Sequence, residues 1–364
     1  MQTLFSPITM NGLTLPNRII IPPMDQYSAV DGHPAEWHFV HYGHLSLSGA
    51  GLLIVEATAV ADIGRISPAD LGLWNEAQEE SHRKMLQFIR KFSCMPIAVQ
   101  LGHAGRKAST GKPWEGKGAL SPEEGGWEVC APSAVKYDPV SPEPIALTNG
   151  DIAPLVAAFA EAAARADKAG YDAIELHGAH GYLIHQFLSP LANFRTDEYG
   201  GSLEGRIRFP LEVFKAVRAV VPQEKPVGIR VSGTDYAEGG WDVEECAIFA
   251  KELEKLGCAY IHVSGGGLSP IQKINLAPGY QVSLATRIKA ATAMPVIAVG
   301  LITEPELAAS IVVNGQADMV AIGRAMLYDP RWPWHAAAKL GITISESPRQ
   351  YLRCEPRAAK GLFV

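Results

Sequence analysis

Eight short apolar segments, mostly β-branched, recur along the chain, and no other feature narrows its fold so far. They are residues 19–21, 52–55, 97–99, 173–176, 227–231, 260–263, 296–299 and 319–322. Continuous apolar runs of this length suit strands buried on both faces, as in parallel sheets. Helical patterns lie between them. In 151–169, Ile152, Leu155, Val156, Phe159, Ala163 and Ala166 repeat at helical spacing; Thr148 or Asn149 can cap its start, and Gly170 follows its end. Residues 209–220 and 243–256 read alike, the second ending at Gly257. Eight strands alternating with helices make an α/β (β/α)8 barrel; a doubly wound sheet of five or six strands is the competitor. Residues 105–149, rich in Gly, Pro and Trp, follow the third strand. Barrels carry active-site loops there, so 105–149 reads as a loop insertion in a single domain, 1–364, with 340–364 as a C-terminal tail.

Composition excludes several classes. The chain has 364 residues, 47% hydrophobic and 19% charged, enough for a large core and unlike a disordered chain. A net charge of -6 argues against a nucleic-acid surface. The five cysteines, Cys94, Cys130, Cys246, Cys258 and Cys354, are scattered and form no Cys-x-x-Cys pair. They suggest neither a disulfide framework, a zinc site nor an iron–sulfur cluster. The N-terminus lacks a basic stretch followed by an apolar one, and no apolar run approaches the ~20 residues of a membrane span. A cytoplasmic protein is expected.

The chemistry-bearing residues follow the strands. No Gly-x-Gly-x-x-Gly follows a strand, so a Rossmann site is unsupported. The run Gly111 to Lys117 nearly matches a phosphate loop, but Gly118 stands where Ser or Thr is needed and no strand precedes it. After the third strand comes Gln100-Leu101-Gly102-His103-Ala104-Gly105-Arg106, and after the fourth His177-Gly178-Ala179-His180-Gly181-Tyr182. Gly300 and Gly323-Arg324 follow the seventh and eighth. In a barrel all sit on one rim. Gly300 and Gly323 either cradle a phosphate, with Arg324 adding charge, or are tight turns. His177 and His180 are metal ligands, paired donors to one carbonyl oxygen, or plain rim residues. His185, Asp197 and Glu175 are the possible third ligands. Tyr182 is a general acid or a buried structural tyrosine.

Further motifs join these: Asn17-Arg18-Ile19 with Pro22-Pro23-Met24, Trp37-His38, Glu56-Ala57-Thr58-Ala59-Val60, Gly64-Arg65-Ile66, His103 to Lys107, and Asn193-x-Arg195-Thr196-Asp197-x-Tyr199-Gly200-Gly201-Ser202. In this order, over nearly the whole chain, they resemble the old yellow enzyme family of flavin-dependent ene-reductases, in its thermophilic-like subclass. The resemblance implies a barrel holding FMN tightly but non-covalently. Pro23, Met24, Ala57, Gln100 and Arg230 match its isoalloxazine contacts, Asp25 occupies a further position beside the flavin, and Gly300, Gly323 and Arg324 match its phosphate cradle. His177 and His180 match the pair that binds the substrate's activating oxygen, Tyr182 the proton donor, and Tyr27 a substrate-facing tyrosine. Arg353 matches an arginine sent into a neighbouring subunit's site, which implies a homodimer or larger even oligomer.

The implied reaction is a ping-pong reduction of an alkene conjugated to a carbonyl or similar group. NADPH or NADH is the transient reductant, and no metal is needed. Rivals are a dienoyl-CoA reductase of the same superfamily, a metal-dependent barrel hydrolase and a non-catalytic flavin-binding protein. One position departs from the subclass: Asp25 stands where cysteine is usual. Ionised, it would lower the flavin potential; protonated, it would donate a hydrogen bond to the flavin or the substrate.

Overall fold

The eight expected strands pair in parallel and close on themselves in the computed structural model, which describes residues 3–345 and 347–363. Met1, Gln2, Glu346 and Val364 lie outside the described residues, so the N-terminal reading and the 340–364 tail are described only in part. The strands are β1 (Ile19–Ile21), β2 (Leu52–Ala59), β3 (Ile97–Gly102), β4 (Ala173–Gly178), β5 (Val227–Ser232), β6 (Ile261–Ser264), β7 (Val296–Ala298) and β8 (Met319–Ala321). Each pairs with the next, and Val320↔Ile19 joins β8 to β1. Closure leaves none of these eight strands at an edge, and a two-residue strand, Leu71–Gly72, adds to the outer end of β2.

Alternation along each strand divides the core in two. Ile20, Leu52, Ile54, Ala98, Ile297 and Met319 cluster inside the barrel, whereas Ile19, Leu53, Val55, Ile97 and Val99 join the larger cluster under the helices. An N-terminal hairpin, Ile8–Met10 with Leu13–Leu15, adds Met10 and Leu15 to the inner cluster and plugs the end away from the rim. Three-residue strands carry too little periodicity to stand out in sequence.

The main helices are α1 (Glu36–Leu45), α2 (Glu76–Ile89), α3 (Asn149–Ala169), α4 (Leu203–Val220), α5 (Val243–Lys255), α6 (Val282–Lys289), α7 (Pro305–Val313) and α8 (Trp332–Leu340). Thr148 is the cap of α3: its backbone N–H and hydroxyl both donate to Asp151 Oδ2, at 2.7 and 2.6 Å. Helix α4 starts six residues before the expected position 209, because Ser202 Oγ accepts from Gly205 N–H. Between β3 and α3 the chain makes only short 3-10 turns and a two-residue pairing, Cys130–Ala131 with Ile145–Ala146. None of the described helices is long and apolar enough to cross a membrane.

One inner position requires glycine. A Cβ at Gly228 on β5 would lie 2.5 Å from the ring of buried Tyr260. Overpacking of this kind costs about 1–3 kcal/mol. Gly228→Ala should therefore lower the unfolding free energy by that much, read as a lower urea midpoint; unchanged stability would show that the Tyr260 ring moves freely.

Candidate active site

The rim chemistry begins inside the strands, one or two residues earlier than the sequence suggests. Gln100 lies within β3 and His177 within β4, rather than after them. The inner face tolerates them because neighbours satisfy them. Gln100 Nε2 donates to Glu175 Oε1 at 2.8 Å, and His262 Nδ1 lies 3.0 Å from Glu175 Oε2. Register places Arg230 of β5 beside His177 on one side and His262 on the other. This belt of side chains separates the apolar barrel interior from the rim.

Carboxylates gather on the β1–β2 side. A bulge in β2 between Val55 and Ala57 makes Glu56 the extra residue. Glu56 accepts from Tyr42 Oη at 2.7 Å and from the Gln26 N–H at 2.8 Å. Asp70 accepts from the Ile66 N–H and Ser67 Oγ at 2.6 and 2.7 Å. Asp25 has only the Ala57 N–H, at 3.2 Å. Burial foremost, then Asp70 and Glu56, pushes the Asp25 carboxyl well above the usual range, although Arg230 opposes the shift. Burial pushes Asp70 up to about 7. Of the two states open for Asp25, burial and the two neighbouring acids favour the protonated one, against the pull of Arg230.

The histidines and Tyr182 share one turn. The His177 ring stands edge-on to His180 at 5.2 Å and to Tyr182 at 4.8 Å between centroids. Burial, then Arg230, pulls both imidazoles well below their ordinary range, so they are neutral at pH 7. His177 Nδ1 accepts from the Ala179 N–H at 3.3 Å, which puts its proton on Nε2. His180 Nε2 lies 2.8 Å from Ser264 Oγ at the end of β6. His180 and Tyr27 both adopt left-handed backbone, at φ 58° and 48°. Strained non-glycine residues of this kind cluster at functional sites. Burial raises both Tyr182 and Tyr27 above the ordinary phenol range.

The remaining residues offer an unpartnered buried donor and close backbone approaches, which suit a ligand with hydrogen-bond acceptors and a phosphate tail. Arg230 is buried, its guanidinium makes no hydrogen bond to the described residues, and its Nε is left without a partner. Such a donor is costly unless something else accepts from it. Gly323 lies against Pro22 and Met24: an added Cβ would sit 3.5 and 3.7 Å from their side chains. Gly300 is left-handed at φ 125°, and a Cβ there would lie 2.9 Å from Gln281 Oε1. Tyr280 feels the charges of both Arg324 and Arg230. The residues that the resemblance assigns to an isoalloxazine and its phosphate are Pro23, Met24, Ala57, Gln100, Arg230, Gly300, Gly323 and Arg324.

Two expectations fare differently. Arg353 lies in an exposed 3-10 turn, Arg349–Cys354, whose Tyr351 packs against Trp334 and Arg331 of its own chain; nothing joins it to His177. The possible third metal ligands are engaged elsewhere. His185 Nε2 lies 2.8 Å from Asp235 Oδ1, Glu175 holds Gln100 and His262, and Asp197 pairs with Arg195. Among the described residues no group of three or more such side chains could hold a metal. Sequence reasoning missed Asp70, Ser264 and the part played by Glu56. Ser264 carries no local signal, and the bulge at Glu56 is visible only in the pairing with β3.

A family model described as the NADH:flavin oxidoreductase / NADH oxidase family matches residues 3–342. An NADPH dehydrogenase of Clostridium acetobutylicum is 43% identical over 351 residues, covering 96% of this chain and 98% of that one. A NADH:flavin oxidoreductase of Gibberella zeae is 43% identical over 358 residues, covering 93% and 86%. Among solved structures, morphinone reductase superposes with a TM-score of 0.79 at 28% identity, covering 100% of this chain and 96% of that one. The old yellow enzyme homologue from Zymomonas mobilis superposes at 0.78 and 28%, covering 94% of each chain.

The state of Asp25 has a consequence for stability. An acid whose folded pKa lies above its unfolded value of 3.8 keeps its proton longer in the folded state. Its folded-state stability is full below the unfolded value and declines as pH rises toward the folded one. The wild-type melting temperature should therefore fall as pH rises above about 4, by roughly 2 °C per 1 kcal/mol in a chain of this size. Asp25→Asn, always neutral, should fall less, the remainder belonging to Asp70. Parallel curves would show that Asp25 is ionised throughout.

Proposed function

Because the chain belongs to the NADH:flavin oxidoreductase / NADH oxidase family, the old yellow enzymes, we propose that it reduces the C=C bond of alkenes conjugated to a carbonyl or similar group. It is an NAD(P)H:flavin oxidoreductase. The finer reading is a ping-pong ene-reductase with one tightly held FMN, taking NADPH or NADH in turn with the enone. When bound, the flavin supplies the hydride chemistry.

The observation that carries this reading is a pair of neutral imidazoles beside a neutral phenol. His177 offers its Nε2–H, because Nδ1 is occupied by the Ala179 N–H. His180 offers Nδ1–H when the Ser264 hydroxyl donates to its Nε2. Two N–H groups on one oxygen polarise the conjugated system and favour the charge that develops there. Neutral donors suit this task, since they bind oxygen without surrendering a proton of their own. The proton for the α-carbon then falls to Tyr182, whose ring packs against His177. Asp25, protonated, has one oxygen on the Ala57 N–H and an O–H left to donate toward flavin or substrate. Tyr27 closes the same side.

Anaerobic half-reactions test this. Tyr182→Phe should slow flavin reoxidation by 2-cyclohexenone by about 100-fold, the usual contribution of a general acid, and leave reduction by NADPH largely intact. His177→Ala and His180→Ala should each cost about 3 kcal/mol at the enone transition state. Equal slowing of both half-reactions in Tyr182→Phe would remove its role as donor.

The tail enters as a subunit contact in the same proposal. Its 3-10 turn exposes Tyr351, Leu352 and Arg353 to solvent, with Tyr351 40% and Leu352 46% exposed. Light scattering should give a homodimer or larger even oligomer, with Arg353→Ala raising the enone KM. A fully active monomer would take Arg353 out of the site.

A further inference from the structure

We propose that Lys107 is the positioning residue for the proton donor: it clamps the turn bearing His180 and Tyr182, and its charge stabilises the phenolate left when Tyr182 gives up its proton. This rests on the reading of Tyr182 as the donor. Lys107 Nζ donates to the His180 carbonyl oxygen at 2.8 Å and to the Gly267 carbonyl oxygen at 2.9 Å. These oxygens belong to segments following two different strands, β4 and β6. The segments nearly touch: a Cβ at Gly181 would lie 2.2 Å from the Gly267 oxygen, and one at Gly267 would lie 2.6 Å from His180 Cα. One ammonium thus holds both strained segments together, including the left-handed backbone at His180.

The rest of the ammonium faces two aromatic rings. Nζ lies 5.0 Å from the Tyr182 ring centroid and 4.8 Å from that of Tyr137, which the loop insertion contributes. A cation over a ring is attracted to its π face, and more strongly once the ring bears negative charge. Among the described residues no carboxylate pairs with Lys107. The titratable and charged groups around it are Arg106, Tyr137, His177, His180 and Tyr182. Both histidines are held neutral, and burial raises both tyrosines. Arg106 and Lys107 are therefore the two charges there. Burial, then Arg106, pulls the Lys107 ammonium down to about 8, so its charge is present at neutral pH and lost just above it.

The Tyr182 O–H bond breaks and a C–H bond forms at the substrate's α-carbon. The phenolate keeps the electron pair beside Lys107, and water later returns a proton to it. The sequence shows Lys107 only as the last residue of the His103 to Lys107 motif, with no hint that it reaches a turn some 75 residues away.

The test uses reduced holoenzyme mixed anaerobically with 2-cyclohexenone across pH 6 to 10. Lys107→Met should slow the limiting rate of reoxidation by about tenfold, part of the ~100-fold a general acid supplies. Reduction by NADPH should stay at the wild-type rate. The wild-type rate should fall as pH rises through about 8; that fall should be absent in Lys107→Met and displaced to higher pH in Lys107→Arg, which should keep most of the rate. In a Tyr182→Phe background, Lys107→Met should add no further slowing. Equal slowing in that background would overturn the proposal, as would a change confined to enone affinity with rate and pH profile untouched. If Lys107→Met does not fold, Lys107→Arg decides: a pH limb still near 8 overturns the proposal. Wild-type reoxidation in Tyr182→Phe would defeat the donor reading instead, a separate outcome.

Discussion

Glu175 is fully buried in the barrel, and its two oxygens are divided between Gln100 Nε2 at 2.8 Å and His262 Nδ1 at 3.0 Å. A carboxylate in such a place is costly unless its lone pairs are met. Here two other strands meet them at once, because parallel register sets Gln100 opposite Glu175 and Arg230 opposite His262. The contact ties β3, β4 and β6 together at one level. Below it the barrel is packed with Ile20, Leu52, Ile54, Ile297 and Met319; above it lie His177, His180 and Tyr182. The rim chemistry stands on that level, and a slip of one residue in any of these strands would turn its functional side chain toward the helices.

Charge is sorted across the rim. Asp25, Glu56 and Asp70 lie on the β1–β2 side, where crowding and burial push Asp25 and Asp70 toward the protonated form. Arg230 and Lys107 lie across from them, and each lowers the basicity of His177 and His180. The outcome is a site whose hydrogen-bond donors are mostly neutral while its fixed charges sit behind them. That arrangement suits chemistry in which charge appears only in transit, first on the substrate oxygen and then on a phenol.

The left-handed turns at His180 and Tyr27 belong to the same economy of space. Each turns a bulky side chain back over the barrel mouth, His180 two residues and Tyr27 six residues past its strand end. The His180 turn is held by the Ser232 hydroxyl, which accepts its N–H at 3.0 Å, by Ser264 on its ring and by Lys107 on its carbonyl oxygen. Strain at such a position persists only where neighbours over-determine it.

Much of this was legible in the residues alone. Eight apolar runs located eight strands, because burial on both faces leaves an unbroken apolar signature. The cap at Thr148 and the residues at strand ends were readable because they are local in sequence. The bulge at Glu56, the early start of α4 and the N-terminal plug were not, since each depends on a partner far along the chain or on too few residues to show a period. The protonation of Asp25 lay beyond any sequence reading: it is set by Asp70, Glu56 and burial, and charge and desolvation act through space. The same holds for His185, which sequence spacing offered as a metal ligand and the fold joins to Asp235. The sequence by itself determined which residues ring the mouth of the barrel; only the tertiary structure decided which of them carry charge, because that depends on distances between strands that no local pattern records.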